Sequence, residues 1–172
     1  MKFHLVDRIE SIEPGKRIVA VKALSLAEEY LADHFPAFPV MPGVLMLEGL
    51  VQTAAWLVRL QQNWSKSLIE LAAARNIRYG NFVAPGRVLR MEAELLGLEG
   101  DLARFKGAGT LEDGQQAVSG RLELRCFNVA DFCPQAAGAD ERIIARLKER
   151  FRLIGGAEAL AAAARTPSSA PG

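Results

Sequence analysis

"HFPAFPVMPGVLMLEGLVQ", residues 34–52, is a run of bulky apolar residues that carries His34 at its front and Glu48 in its middle. Pro36, Pro39 and Pro42 keep its first half extended and irregular, since each ring fixes φ and removes a donor. Pro42 suits the first turn of a helix, where a missing N–H costs nothing. From there "GVLMLEGLVQTAAWLVRLQQNW" is long enough for a helix of about four to six turns. Between Val44 and Val58 the only polar side chains are Glu48, Gln52 and Thr53. A helix apolar nearly all round is a buried one, so something in this chain or a partner must wrap it.

The flanking sequence supplies the wrapping. Upstream, "FHLVDRIESIEPGKRIVAVKAL" reads as a β-hairpin, with two Val- and Ile-rich arms joined by turn residues at "EPGK". Between hairpin and helix, "SLAEEYLADHF" places Glu28 three residues after Ser25, a capping-box pattern that implies one or two helical turns. Downstream, "SLIELAAARNIRYGNFV" is strand-like and ends at "APG". Three arms follow, "RVLRMEAELLGL", "LARFKGAGTLE" and "QQAVSGRLELRCFNV", separated by "EGD" and "EDG", which is the pattern of an antiparallel meander. The fold class is therefore α+β, an antiparallel sheet curled round a long central helix, with an extra C-terminal helix. In that last helix, "ADERIIARLKERFRLIGG", Asp140 is the expected N-cap, and Ile143, Ile144, Leu147 and Phe151 recur at helical spacing. Its basic opposite face suits a surface helix packed on the domain. The expected divisions are 1–133 for the sheet-and-helix domain, 134–156 for the helical extension and 157–172 for an Ala-rich segment with a disordered tail.

Composition narrows the function. A formal charge of +1 over 172 residues lacks the basic excess of a nucleic-acid-binding protein. No stretch reaches the roughly 20 uninterrupted apolar residues of a membrane helix, and the N-terminus lacks the apolar core of a signal peptide, so a cytoplasmic protein is expected. Cys126 and Cys133 have neither the spacing nor the number of a metal or disulfide framework. His4 and His34 are the only histidines, which excludes a multi-histidine metal site. No cofactor is expected.

Glu48 and Gln52, four apart, project from one helical face. Burying a lone carboxylate is expensive, and a carboxyl that keeps its proton in an apolar setting is a candidate general acid. The competing readings are an ion pair with an arginine, or escape to solvent at an edge. His34, in the loop before the helix, is of the type that most readily exchanges a proton near neutral pH. The N–H groups of Gly43 and Val44 at the helix start are orphan donors reinforced by the helix dipole, and Gly43 has no side chain to hold a substrate away. Base, acid and backbone donors together can polarise a carbonyl, remove a proton beside it and protonate a leaving group.

Residues from Leu5 to about Gly86 resemble the hotdog-fold 3-hydroxyacyl-acyl-carrier-protein dehydratases of the FabZ type. "LVDRIESIEPGKRIVAVKALS", "HFPAFPVMPGVLMLEGLVQ" and "IRYGNFVAPG" match three family blocks in order, and the middle block keeps the spacing of histidine, Pro-Gly and acid. The resemblance implies that His34 is the base on the α-carbon and that Glu48 handles the departing hydroxyl. It implies that the Gly43 N–H binds the thioester oxygen, that Val44 lies beside it, and that Gln52 orients Glu48 or its water. It further implies a homodimer or a trimer of dimers, with histidine and acid from different subunits, and an acyl chain on acyl carrier protein or as a coenzyme A thioester. Neither nucleic acid nor membrane is an expected partner. A glutamate at position 48 resembles the plain dehydratase branch; the branch that also isomerises the double bond has aspartate. Departures are Ala37 for a common glycine, "RYGNFVAPG" for a more basic pattern, and no counterpart of the family's N-terminal helical segment ahead of "HLVDRIE". Two other readings use the same fold. A hotdog thioesterase would activate water with the helix acid, and a non-catalytic hotdog module would only bind acyl chains or hold a complex together.

Overall fold

The N-terminal hairpin forms where turn residues and alternation place it. β1 (Arg8–Glu13) and β2 (Arg17–Ala23) pair antiparallel, and the Lys16 N–H donates to the Glu13 carbonyl at 2.9 Å to close the turn. Gly15 supplies its left-handed position, with φ 72°. The structure is a computed structural model that describes residues 4–35 and 37–165; Pro36 and the tail at 166–172, expected to be disordered, lie outside the described residues.

The helix after the hairpin is a single turn, within the one or two that its capping pattern implies, but it begins later than that pattern places it. Ser25 Oγ accepts the Ala27 N–H at 3.2 Å, yet α1 spans only Tyr30–Asp33. The carboxylate of Glu28 turns instead to Lys22 at 2.5 Å. Lys22 is buried and draws a second carboxylate, Asp7, to 3.2 Å, because a buried ammonium needs close counter-charge more than the helix needs its box.

The long helix, α2 (Gly43–Gln61), begins one residue later than expected. Pro42 is its N-cap, whose carbonyl accepts from Leu45 and Met46. Leu50, Ala54, Leu57 and Val58 are fully buried, whereas Val44 in the first turn is exposed. By length and apolarity alone α2 could cross a bilayer, but here the sheet wraps it and makes it a core helix. Two glycines let helix and sheet meet. A Cβ on Gly49 would lie 2.6 Å from Met91 Sδ, and one on Gly107 would lie 3.3 Å from Leu50 Cδ1.

β3 (Leu68–Tyr79), β4 (Val88–Glu99), β5 (Leu102–Thr110) and β6 (Gln116–Phe127) complete one six-stranded antiparallel sheet in the order β1-β2-β4-β5-β6-β3. The last three strands form the expected meander. β3 crosses to the far edge and pairs with β6, with register shifts between Leu71 and Ala73 and between Arg75 and Arg78. Alternation sends Leu89, Met91 and Ala93 of β4 and Ala103 and Phe105 of β5 inward against α2.

The C-terminal extension is larger than the sequence implied. α3 (Ala137–Leu153) is followed by α4 (Gly156–Arg165), and the junction between them lies against β1, where the Ile9 N–H donates to the Ile154 carbonyl at 2.7 Å. Asp140 does not cap its own helix. It sits inside the first turn, buried, and accepts from Ser67 Oγ and from the Val129 and Ala130 N–H groups at 2.8 and 3.0 Å. Its carboxylate therefore caps the short 3-10 turn at Val129–Asp131 and ties α3 to the start of β3. This is the hotdog fold, a sheet curled about one central helix.

Candidate active site

Glu48 lies in the second turn of α2, half-buried, on the face that α2 turns towards the N-terminal segment. The spacing expected to align it with Gln52 does so, since Gln52 Nε2 donates to Glu48 Oε1 at 2.9 Å. The other end of the Gln52 amide is held as well, its Oε1 accepting the Leu5 N–H at 3.0 Å. No arginine or lysine among the described residues is paired with Glu48, so the ion-pair reading of this carboxylate fails. Its oxygens open into a cavity of about 270 Å³ that runs along α2.

At the head of α2 the first intrahelical bonds are donated by Leu45 and Met46, and the Gly43 and Val44 N–H groups have no acceptor among the described residues. Those two donors carry the positive end of the helix dipole. A Cβ on Gly43 would lie 3.1 Å from Tyr79 Cε1, so the space left by the missing side chain is covered by the Tyr79 ring. Val44 is 69% exposed and, with exposed Phe35, Phe38, Tyr79 and Phe82, gives this end of the molecule an apolar rim. Phe38 and Phe82 meet edge to face, their centroids 5.6 Å apart, and the Met41 N–H donates to the Val83 carbonyl at 2.9 Å. These contacts join the loop before α2 to the loop after β3.

His34 ends α1, its N–H donating to the Tyr30 carbonyl at 3.1 Å and its ring tilted against Phe35 at 4.3 Å. Phe35 follows with φ 52°, a left-handed conformation that costs a bulky residue roughly 1–3 kcal/mol. Within one chain His34 neither bonds to Glu48 nor lines the cavity into which Glu48 opens. Glu48 and Gln52 are thus brought together, the Gly43 and Val44 donors stand little more than one turn back from Glu48 on the same helix, and His34 stands apart.

Sequence reasoning passed over the rest of that cavity. Trp56 and Arg59 continue the Glu48–Gln52 stripe along α2, and Leu147 and Arg150 of α3 line it too. Arg59 was legible as the next polar residue on a face already carrying Glu48 and Gln52; nothing in the sequence signalled the approach of α3. The thinned basic block has a local cause. Gly80 has no room for a side chain, since a Cβ there would lie 2.4 Å from the Gln116 carbonyl oxygen.

Comparisons with known proteins give the family of the chain. Residues 1–121 match the model of the FabA-like domain. The 3-hydroxyacyl-[acyl-carrier-protein] dehydratase FabZ of Exiguobacterium sibiricum is 41% identical over 121 residues, covering 70% of this chain and 85% of the relative. The enzyme of the same name from Geobacillus thermodenitrificans is 42% identical over 109 residues, covering 63% and 75%. Among solved structures, the dehydratase heterocomplex ApeI:P from Xenorhabdus doucetiae shares the fold, with a TM-score of 0.62 at 19% identity over 78% of this chain and 90% of that one. The chain belongs to the FabA-like family and, within it, to the FabZ-type 3-hydroxyacyl-[acyl-carrier-protein] dehydratases.

Proposed function

We propose that this protein removes water from 3-hydroxyacyl thioesters carried on acyl carrier protein, giving trans-2-enoyl thioesters in fatty acid or related lipid or polyketide biosynthesis in the cytoplasm. The observation that carries the reading is the Glu48 carboxyl, paired with no arginine or lysine among the described residues, held by Gln52 at a cavity behind a helix start whose Gly43 and Val44 N–H groups have no acceptor among the described residues. In the reaction the Gly43 N–H, beside Val44, donates to the thioester oxygen as charge builds there. The His34 imidazole takes a proton from C2, the C2–H electron pair forms the C2=C3 bond, and the C3–O bond breaks. Glu48 supplies the proton that turns the departing hydroxyl into water, and passage of the proton from His34 back to Glu48 resets the site.

The working unit is a homodimer, alone or as a trimer of dimers, in which His34 of one subunit faces Glu48 of the other. Three features support this. His34 and Glu48 do not meet within a chain. The apolar rim around His34 and Val44 is exposed in the single chain. β3 ends the sheet with one side unpaired among the described residues, a template for pairing with a second copy. The domain boundary falls near residue 133, the extension beyond it packing on an otherwise complete sheet and helix.

Incubation with a 3-hydroxybutyryl thioester of acyl carrier protein tests the function. Enoyl thioester is the expected product. Release of free thiol without enoyl product would make the protein a thioesterase, and absence of both would leave an acyl-binding module.

A further inference from the structure

The cavity that opens at Glu48 carries a second polar group at its other end. Glu48, Gln52, Trp56 and Arg59 form one stripe along α2, and Leu147 and Arg150 of α3 line the cavity as well. α3 is fixed there by Phe151, whose ring centroid lies 5.9 Å from that of Trp56 and 5.5 Å from that of Trp64. The guanidinium of Arg59 sits over the Trp56 ring at 5.2 Å, and its Nε is buried without a hydrogen-bond partner. Burial pulls its pKa down to about 10, which leaves it cationic at neutral pH. Arg150 donates to the Val6 carbonyl at 3.4 Å. Among the described residues neither arginine has a carboxylate partner, and Glu48 is the only acid lining the cavity.

A guanidinium with a buried, unsatisfied Nε and no carboxylate partner among the described residues is costly, and such a group persists where something else needs it. Arg59 does complement the dipole at the C-terminal end of α2. That role is met equally well by a guanidinium in water and does not require a buried Nε. Arg59 lies eleven residues beyond Glu48, about 16 Å along the helix axis at the usual rise. A helical side chain leans towards the N-terminus, which directs the guanidinium back along the cavity, over Trp56.

We infer that the cavity is the acyl-chain chamber and that Arg59, assisted by Arg150 from the C-terminal extension, selects acyl chains ending in a carboxylate. The inference rests on the dehydratase reading for the placement of C3 at Glu48. From there the chain runs past Ala55 and Trp56, and its terminal carboxylate meets the guanidinium in a charge-assisted hydrogen bond. The selection depends on α3, because without Leu147 and Arg150 that side of the chamber would be open to water.

The test compares two trans-2-enoyl thioesters of equal length, one ending in a carboxylate and one in its methyl ester. The ratio of their hydration kcat/KM values is measured in the wild type and in Arg59→Met. The wild type is expected to favour the carboxylate chain about tenfold to a hundredfold, the range of a hydrogen bond to a charged group, and Arg59→Met to abolish or invert the ratio. Equal handling of the two chains by the wild type would overturn the inference, as would a ratio unchanged in Arg59→Met. Should Arg59→Met not fold, Arg150→Met is expected to lower the ratio, and the wild-type ratio decides alone. Equilibrium binding of the same two thioesters, followed by tryptophan fluorescence, separates this inference from the catalytic one. A wild type that fails to hydrate crotonyl thioester yet binds the carboxylate chain preferentially would lose the dehydratase reading and keep the selective chamber. Equal binding of both chains would overturn the chamber whatever the turnover.

Discussion

Gln52 holds Glu48 from one side and the backbone from the other: its Nε2 donates to Glu48 Oε1 at 2.9 Å while its Oε1 accepts the Leu5 N–H at 3.0 Å. The amide therefore fixes the rotation of the carboxylate against the N-terminal segment, leaving the second carboxylate oxygen for a substrate hydroxyl. In the proposed reaction Gln52 acts as a positioning residue. Gln52→Ala is expected to lower kcat about tenfold or more with KM nearly unchanged, and to cost about 1 kcal/mol of stability for the lost Leu5 acceptor. A variant with raised KM and intact kcat would show that Gln52 binds substrate instead.

His34 stands at the C-terminal end of α1, and its side chain makes no hydrogen bond among the described residues. His34→Ala is expected to lose turnover by about 10²–10⁴-fold while keeping the wild-type melting temperature. An unfolded variant would mark His34 as structural.

If His34 and Glu48 act across a subunit interface, two inactive variants can repair one another. Subunits of His34→Ala and Glu48→Gln, co-expressed or unfolded and refolded together, are expected to regain up to about a quarter of wild-type activity, from random pairing in a two-fold dimer. Each mixed dimer holds one intact site and one doubly altered site. Failure to regain activity, with mixed dimers demonstrated by tagging, would place both groups of each site in one chain.

Asp140 gives a pH dependence to the attachment of α3. The Ser67 hydroxyl, and then the Ala130 and Val129 N–H groups, hold its carboxyl below the usual carboxylate range. A carboxyl depressed in the folded state stabilises the fold above its unfolded pKa, about 3.9, and loses that contribution as pH falls through the lower folded value. Asp140→Asn should therefore be less stable than wild type at neutral pH, with the gap in denaturant midpoint narrowing below about pH 4. A gap that stayed constant with pH would show that shape, and not charge, makes the contact.

The elements that the sequence revealed are those whose signal is local. The hairpin at "EPGK", the unbroken apolar run of α2 and the meander divided at "EGD" and "EDG" each carry their own periodicity and turn chemistry. The position of β3 beside β6 is a long-range choice, written in the match of two surfaces and in no single segment. α4 escaped notice because "GAEALAAAAR" favours helix by composition but offers few large apolar residues to mark a buried stripe. Asp140 was legible as a cap, though not as the cap of a turn ten residues upstream. In the site, Glu48 and Gln52 stood out because polar groups on a buried helix need a reason. Arg59 and Arg150 come to the same cavity only through the long-range placement of α3.

The central claim is that the Glu48 carboxyl protonates the departing hydroxyl, and Glu48→Gln tests it most directly. The substitution keeps the shape of the side chain and replaces only the group that gives and takes the proton. Hydration of crotonyl thioester is followed beside thermal unfolding of the same preparation, with Glu48→Asp as companion. Glu48→Gln is expected to be at least as stable as wild type and almost inactive, and Glu48→Asp to keep partial activity through a shorter reach. A stable Glu48→Gln protein that hydrates crotonyl thioester at the wild-type rate would contradict the claim and remove Glu48 from the reaction.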